Sequence, residues 1–301
     1  MWVAVALCLL VQYLSSEAKV AVLPMLRHND GIVGGEDIDI SEAPYQVSLQ
    51  VKGRHYCEGT LVAKDIVITA AHCLNSYFHL FKCLIFRKVT KLNLKFLVAI
   101  YAQFPVSIEK LFCFSLDASI YQIRAGSSFS DRDGELYLVA KVLPHPKFDY
   151  EEFDSDIGIV WLSEPVEVSD KIATVEMKEC VDEVPDGDIV QVTGWGWTEP
   201  IRSLAHNDLM LQRVLIPKIA DSKCRDAYDH LFTENMLCAG LPEGGKNACF
   251  DSGGPLIHNG KLAGVVSFSR GCARPDYPAV YAKVSALRKW INEQLNGDKK
   301  P

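Results

Sequence analysis

From residue 32 onward, apolar and β-branched residues come in short runs separated by Gly, Pro and Asp turns. PYQVSLQVK over 44–52 alternates imperfectly, KDIVITAAHC and GDIVQVTGWGW are nearly continuous apolar runs, and GKLAGVVSFS and PAVYAKV continue the theme. Many short strands with turn signals between them predict an all-β barrel or sandwich. One segment carries a helical period instead. VSALRKWINEQL puts Val284, Leu287, Ile291 and Leu295 on one face, with Ser285 as a candidate cap.

Two stretches depart from this pattern. MWVAVALCLLVQYLSSEA opens on an apolar run from Trp2 to Val11 and turns polar around the small residues Ser16 and Ala18. It predicts a secretory signal peptide over 1–18, although no Lys or Arg precedes the run, and the run is too short to span a bilayer. The second stretch, 75–118, holds no glycine, nine aromatic residues and six Lys or Arg against two acids. Lys95, Pro105 and Glu109 interrupt it too often for a membrane span, and an apolar insert without turn chemistry makes a poor surface loop. Its Phe, Leu, Lys and Ile bias is that of translated non-coding sequence, which points to a gene-model artefact. A genuine insert would instead lie over the first half of the fold near His72.

Composition adds little to this picture. Hydrophobic residues make up 49% and charged residues 23% of 301, as in ordinary globular chains, and a net charge of −7 argues against a nucleic-acid binder. The ten cysteines matter more. Secretion makes them disulfide candidates, and loss of Cys8 with the signal leaves an odd number. None has the paired spacing of a zinc site, so no structural metal is expected.

Three stretches carry candidate chemistry in the order His, Asp, Ser: TAAHC with His72, FDSDIGIVWL with Asp156 and CFDSGGP with Ser252. An alcohol is a weak nucleophile at neutral pH. It needs an imidazole to take its proton and a buried carboxylate to orient that imidazole. Taken singly, each residue has an ordinary structural role. Together with IVGG at 32–35, PYQVSLQ, GWGW, CAG and DSGGP, they resemble the chymotrypsin/trypsin family of serine endopeptidases over nearly everything after Gly31 except 75–118.

That resemblance implies two six-stranded antiparallel β-barrels with a C-terminal helix and a cleft between the barrels. His72 would be the general base, Asp156 its orienter and Ser252 the acyl-forming nucleophile. IVGG implies a propeptide over 19–31, a peptidase domain over 32–297, and activation by a protease that frees the Ile32 amino group to pair with Asp251. The junction is unusual, because Gly31 precedes Ile32 and the nearest basic residue is Arg27. Either the activator accepts Gly31 or trimming follows a cut after Arg27. The resemblance also pairs Cys57 with Cys73, Cys224 with Cys238 and Cys249 with Cys272, leaving Cys83, Cys113 and Cys180.

Two departures bear on activity and specificity. The family's nucleophile loop has two residues between its cysteine and its aspartate, the second a glycine that donates to the oxyanion. Here only Phe250 stands there, so Phe250 and Ser252 would have to supply the oxyanion-hole N–H groups. The pocket-base position that is aspartate in trypsins maps to Asn247, and the two wall glycines map to Ser269 and Ala279. Those residues predict cleavage after small or medium uncharged side chains. Ser127 and Ser128 stand where a calcium loop would need acids, so no calcium or other cofactor is expected. The partners implied are protein or peptide substrates, an activating protease and protein protease inhibitors, with a monomeric, extracellular enzyme. The alternative is a catalytically impaired homologue that binds substrates or inhibitors without turnover.

Overall fold

The computed structural model describes residues 34–74, 117–196, 210–248 and 251–297. The candidates Ile32, Cys83, Cys113, Cys249 and Phe250, and all but the last two residues of 75–118, lie outside them.

The first barrel is built from β2 (Gln46–Val51), β3 (Arg54–Ala63), β4 (Ile66–Thr69), β5 (Tyr121–Ala125), β6 (Glu135–Pro144) and β7 (Gly158–Leu162), closed in the order β2-β3-β4-β7-β6-β5. Closure removes the exposed edges that isolated antiparallel strands would present. Val47, Leu49, Leu61, Val67, Ile123, Ile159 and Val160 are fully buried in its core. Between the end of β4 and the loop leading to β5 lies a single turn of helix, α1 (Ala71–Leu74).

The second barrel uses β9 (Ile189–Gly194), β10 (Gln212–Ile219), β11 (Met236–Ala239), β12 (Pro255–His258), β13 (Lys261–Phe268) and β14 (Ala279–Lys283). Pairing runs β10-β11-β14-β13-β12-β9, and β9 returns to β10 to close it. Two short strands decorate it: β1 (Glu36–Asp37) joins β10 and β8 (Glu176–Met177) joins β13. The expected fold is therefore present, two six-stranded antiparallel barrels followed by a helix, α3 (Val284–Gly297).

Helix α3 presents the predicted face: Val284, Leu287 and Ile291 are buried and Leu295 packs against the same core. Ser285 is not its cap. It is the second helical residue and is itself buried. A further helix, α2 (Asp221–Tyr228), has no counterpart in the sequence reading. Only Cys224 and Tyr228 of its eight residues are buried, too sparse an apolar pattern to signal a helix. Disulfides join Cys224 to Cys238 and Cys57 to Cys73, as the resemblance implies, and Cys272 is also disulfide-bonded. Cys180 is free and exposed.

The imperfect alternation of β2 has a physical explanation. Gln46, Ser48 and Gln50, its polar positions, are as buried as Val47 and Leu49. They hydrogen-bond instead of meeting water: Gln46 to Glu58 and Thr193, Ser48 to His55, and Gln50 to the Ser130 carbonyl. The bond to Thr193 crosses from β2 to β9, so the polar face of one barrel is buried against the other.

Candidate active site

His72 enters from α1, whose position is fixed from two sides. Cys73 is bonded to Cys57 on β3, and the chain reaches α1 directly from the buried strand β4. Asp156 sits just before β7, after a left-handed turn at Ser155 (φ 55°). That turn is held by its neighbour Asp154, which accepts hydrogen bonds from Thr233 Oγ1 and from Asn235 Nδ2 at 3.1 Å. Thr233 and Asn235 lie just ahead of β11, so the loop carrying Asp156 is tied to the second barrel. These bonds hold the Asp154 carboxyl below its ordinary range, although burial pushes the other way.

The two candidates from the first barrel meet closely. Asp156 is 1% exposed. Its Oδ1 accepts the His72 backbone N–H at 2.9 Å, and its Oδ2 lies 2.7 Å from His72 Nδ1 and accepts Ser267 Oγ–H at 2.6 Å. An ionised carboxylate only accepts, so the imidazole proton resides on Nδ1 and Nε2 keeps its lone pair. Burial pushes the His72 pKa down, but the Asp156 charge and hydrogen bond outweigh it, and the net shift is upward. The arrangement makes His72 a stronger base than a free imidazole and fixes which nitrogen acts.

Ser252 comes from the second barrel. Its carbonyl accepts the Glu58 N–H at 2.8 Å, and Gly254 N–H closes a turn onto the Asp251 carbonyl at 2.8 Å. Gly253 adopts φ +86°, and a side chain there would collide with Thr69 Oγ1 and the Glu58 carbonyl. The Gly-Gly of the motif is thus required by a close approach to β3 and β4. Ser252 is partly exposed, whereas Asp251 is wholly buried and accepts the Gly196 N–H at 2.6 Å. Among the described residues, no hydrogen bond joins the Ser252 hydroxyl to His72.

The pocket candidates are placed around the ends of the second-barrel strands. Asn247 is 1% exposed, and its Oδ1 has no hydrogen-bond partner among the described residues. Ser269, just past β13, donates from Oγ to the Gly271 carbonyl at 2.9 Å, and Ala279 opens β14 opposite Ala239. The Gly245 N–H donates to the Ala273 carbonyl at 3.0 Å and binds the 240–248 loop to the 270–277 loop.

Sequence reasoning missed three features. Ser267 stands in an apolar strand, and its hydroxyl at an otherwise hydrophobic position was the available signal. Glu58 is a fully buried acid on β3, visible in sequence only as a charge inside a strand pattern. Phe153, with φ 55°, places its ring 6.0 Å from that of His72 and 5.4 Å from Phe268. Phe148 and Tyr150 extend this aromatic wall beside the imidazole.

Comparison with known proteins agrees with this geometry. The family model described as Trypsin matches residues 32–91 and 113–291, and the gap at 92–112 falls within the atypical 75–118 stretch. The vitellin-degrading protease of Bombyx mori is 47% identical over 267 residues, covering 88% of this chain and 85% of that protein. Trypsin 5G1 of Aedes aegypti is 35% identical over 272 residues, covering 89% and 86%. A trypsin of Phaedon cochleariae is 32% identical over 287 residues, covering 94% of each.

Proposed function

The chain belongs to the trypsin family of serine endopeptidases, and from that premise we propose a secreted, zymogen-activated protease that cleaves proteins through His72, Asp156 and Ser252. His72 Nε2 takes the Ser252 proton as the hydroxyl attacks the scissile carbonyl. Asp156 stabilises the imidazolium that forms, and His72 returns the proton to the leaving amine. Water then repeats the sequence on the acyl-enzyme. The observation that carries this reading is the buried Asp156 carboxylate, which holds His72 at both its backbone N–H and Nδ1. A structural histidine needs no such two-point grip.

Activation is read from IVGG. Cleavage before Ile32 would free an α-amino group whose charge complements the buried Asp251. With the glycine before Asp251 absent, the Phe250 and Ser252 N–H groups are assigned to the oxyanion, at a slower rate than a complete loop would allow. Asn247 offers a neutral acceptor at the pocket base, and Ser269 and Ala279 narrow its walls. Small or medium uncharged side chains fit that chemistry better than Lys or Arg. The predicted signal peptide and the disulfides support an extracellular protein. Protein substrates also fit the name of the Bombyx mori relative, a vitellin-degrading protease.

Active-site labelling tests the reading. A chain beginning at Ile32 is exposed to a fluorophosphonate and followed by intact mass beside a Ser252→Ala control. Addition of one label to the first protein and none to the control is the expected result. No label on a folded chain would support the impaired, binding-only homologue instead.

A further inference from the structure

Beneath the Ser252 loop lies a buried pair of acids that the proposed mechanism does not use. Glu58 and Asp251 are both 0% exposed, one from β3 of the first barrel and one from the loop before β12. Their carboxyls adjoin each other: Asp251 Oδ1 and Glu58 Oε1 both lie within 2.7 Å of the one position that a Cβ on Gly194 would take. Both glycines flanking the site are filled by these carboxyls: a Cβ on Gly194 would strike Asp251 Oδ1 and Glu58 Oε1, and one on Gly254 would strike Glu58 Oε2. Both Glu58 oxygens are also engaged by the scaffold. Glu58 Oε1 accepts the Trp195 N–H at 2.6 Å and Oε2 accepts Gln46 Nε2 at 2.7 Å, while Gln46 Oε1 accepts Thr193 Oγ1 at 2.7 Å.

Two adjoining carboxyls, both fully buried, do not both ionise, because each charge is desolvated and repels the other. A hydrogen bond between two carboxyl groups requires a proton, since an ionised carboxylate has nothing to donate. The backbone of Glu58 grips the same loop, with its N–H on the Ser252 carbonyl at 2.8 Å, while its carbonyl accepts Thr69 Oγ1 from β4 at 2.6 Å. One residue therefore fastens the loop at two points, through its main chain and through its side chain.

We propose that Glu58 is a positioning residue for the nucleophile loop: one proton held between its carboxyl and that of Asp251 fastens residues 251–254 to the first barrel. The term nucleophile rests on the reading of Ser252 above, whereas the acid pair does not. With one proton the pair carries a single negative charge, which one α-ammonium group can balance. The loop is thereby held from the barrel side.

The charges acting on the pair are few. Burial, then the Asp251 charge, raises the Glu58 pKa well above 4.5, against the pull of the Trp195 and Gln46 hydrogen bonds. Tyr281 on β14 feels the Asp251 charge and is raised, chiefly by burial, so it stays neutral. His55 on β3, bonded to Ser48 and edge-on to Trp195, is lowered by burial to about 4 and is neutral as well. Because the folded pKa of Glu58 is raised, its stabilising contribution is complete below about pH 4.5 and is lost as pH rises through the folded value.

Glu58→Gln separates this proposal from a merely structural role. Its amide N–H donates to Asp251 at every pH, and rotation of the Gln46 amide restores the acceptor side. In the full chain, the infrared carbonyl band of a protonated carboxyl should persist at pH 7 and disappear in Glu58→Gln. The melting temperature of Glu58→Gln should match that of the native chain at pH 4 and exceed it by about 2–4 °C at pH 8. In chains beginning at Ile32, fluorophosphonate labelling by Glu58→Gln should hold its rate at alkaline pH where the native protein declines, while Glu58→Ala labels at least ~10-fold more slowly. Absence of the infrared band, or parallel melting curves at all pH values, overturns the proposal. If no chain labels, including the native one, the role of Ser252 fails while the infrared and melting results still decide the acid pair.

Discussion

Two buried carboxylates lie close to the candidate site, and they are satisfied in opposite ways. Asp156 receives three hydrogen bonds, from the His72 backbone, His72 Nδ1 and Ser267 Oγ. Asp251 receives the Gly196 N–H and faces a second acid, Glu58. Donors stabilise a negative charge; another carboxyl forces a proton onto the pair. In the proposed mechanism the first region prepares a base, and the proposed acid pair in the second holds the loop that carries Ser252. Burial alone would not have distinguished them, since both aspartates are at most 1% exposed.

The largest expected effect breaks the first region. Asp156→Asn keeps the shape but turns a pure acceptor into a group that can donate, so the imidazole settles in the wrong tautomer. Turnover of a peptide substrate by the activated chain should fall about 10⁴-fold with little change in KM. A smaller fall would mean that the Asp156 contact positions His72 without setting its proton.

Repairing the second region comes next. Insertion of a glycine after Phe250 restores the loop length of the family and with it a donor for the oxyanion. Turnover should rise about 10²–10³-fold. If it does not, the grip of Glu58 on Ser252 already places the loop adequately.

A milder change sharpens the contrast. Ser267→Ala removes one donor from Asp156 while leaving the contacts to His72 intact, and kcat/KM should drop by roughly 10-fold. The carboxylate, less stabilised, holds the imidazolium more tightly, so the acid limb of the pH profile should move upward. In the unaltered enzyme that limb is expected above the ordinary imidazole value of 6.5, since the proposed mechanism requires neutral His72 and its pKa is raised. Activity therefore increases as pH rises through the His72 value. A limb below 6.5 would show that burial outweighs the Asp156 charge.

Much of the architecture was legible from local pattern. The runs at 44–52, 64–73, 260–269 and 278–284 each contain a strand, and the Val284, Leu287, Ile291 face of the last helix is buried as its spacing predicts. These elements follow from short-range periodicity, which the chain displays directly. Helix α2 escaped because its burial rests on Cys224 and Tyr228 alone. The polar positions of β2 broke its alternation without showing that they are buried, each held by a hydrogen bond to a residue outside the strand.

The sequence by itself determined the family and the two-barrel class and singled out His72, Asp156 and Ser252 as candidates, because each is carried by a short contiguous motif. It also exposed the missing residue at Phe250, which is a matter of counting. Only the tertiary structure decided which groups surround those residues. Ser267 reaches Asp156 across 111 positions of chain, and Trp195 reaches Glu58 across 137. Such contacts leave no local pattern, since they arise when closed barrels bring distant strand ends together and exclude the water that would otherwise have solvated each charge.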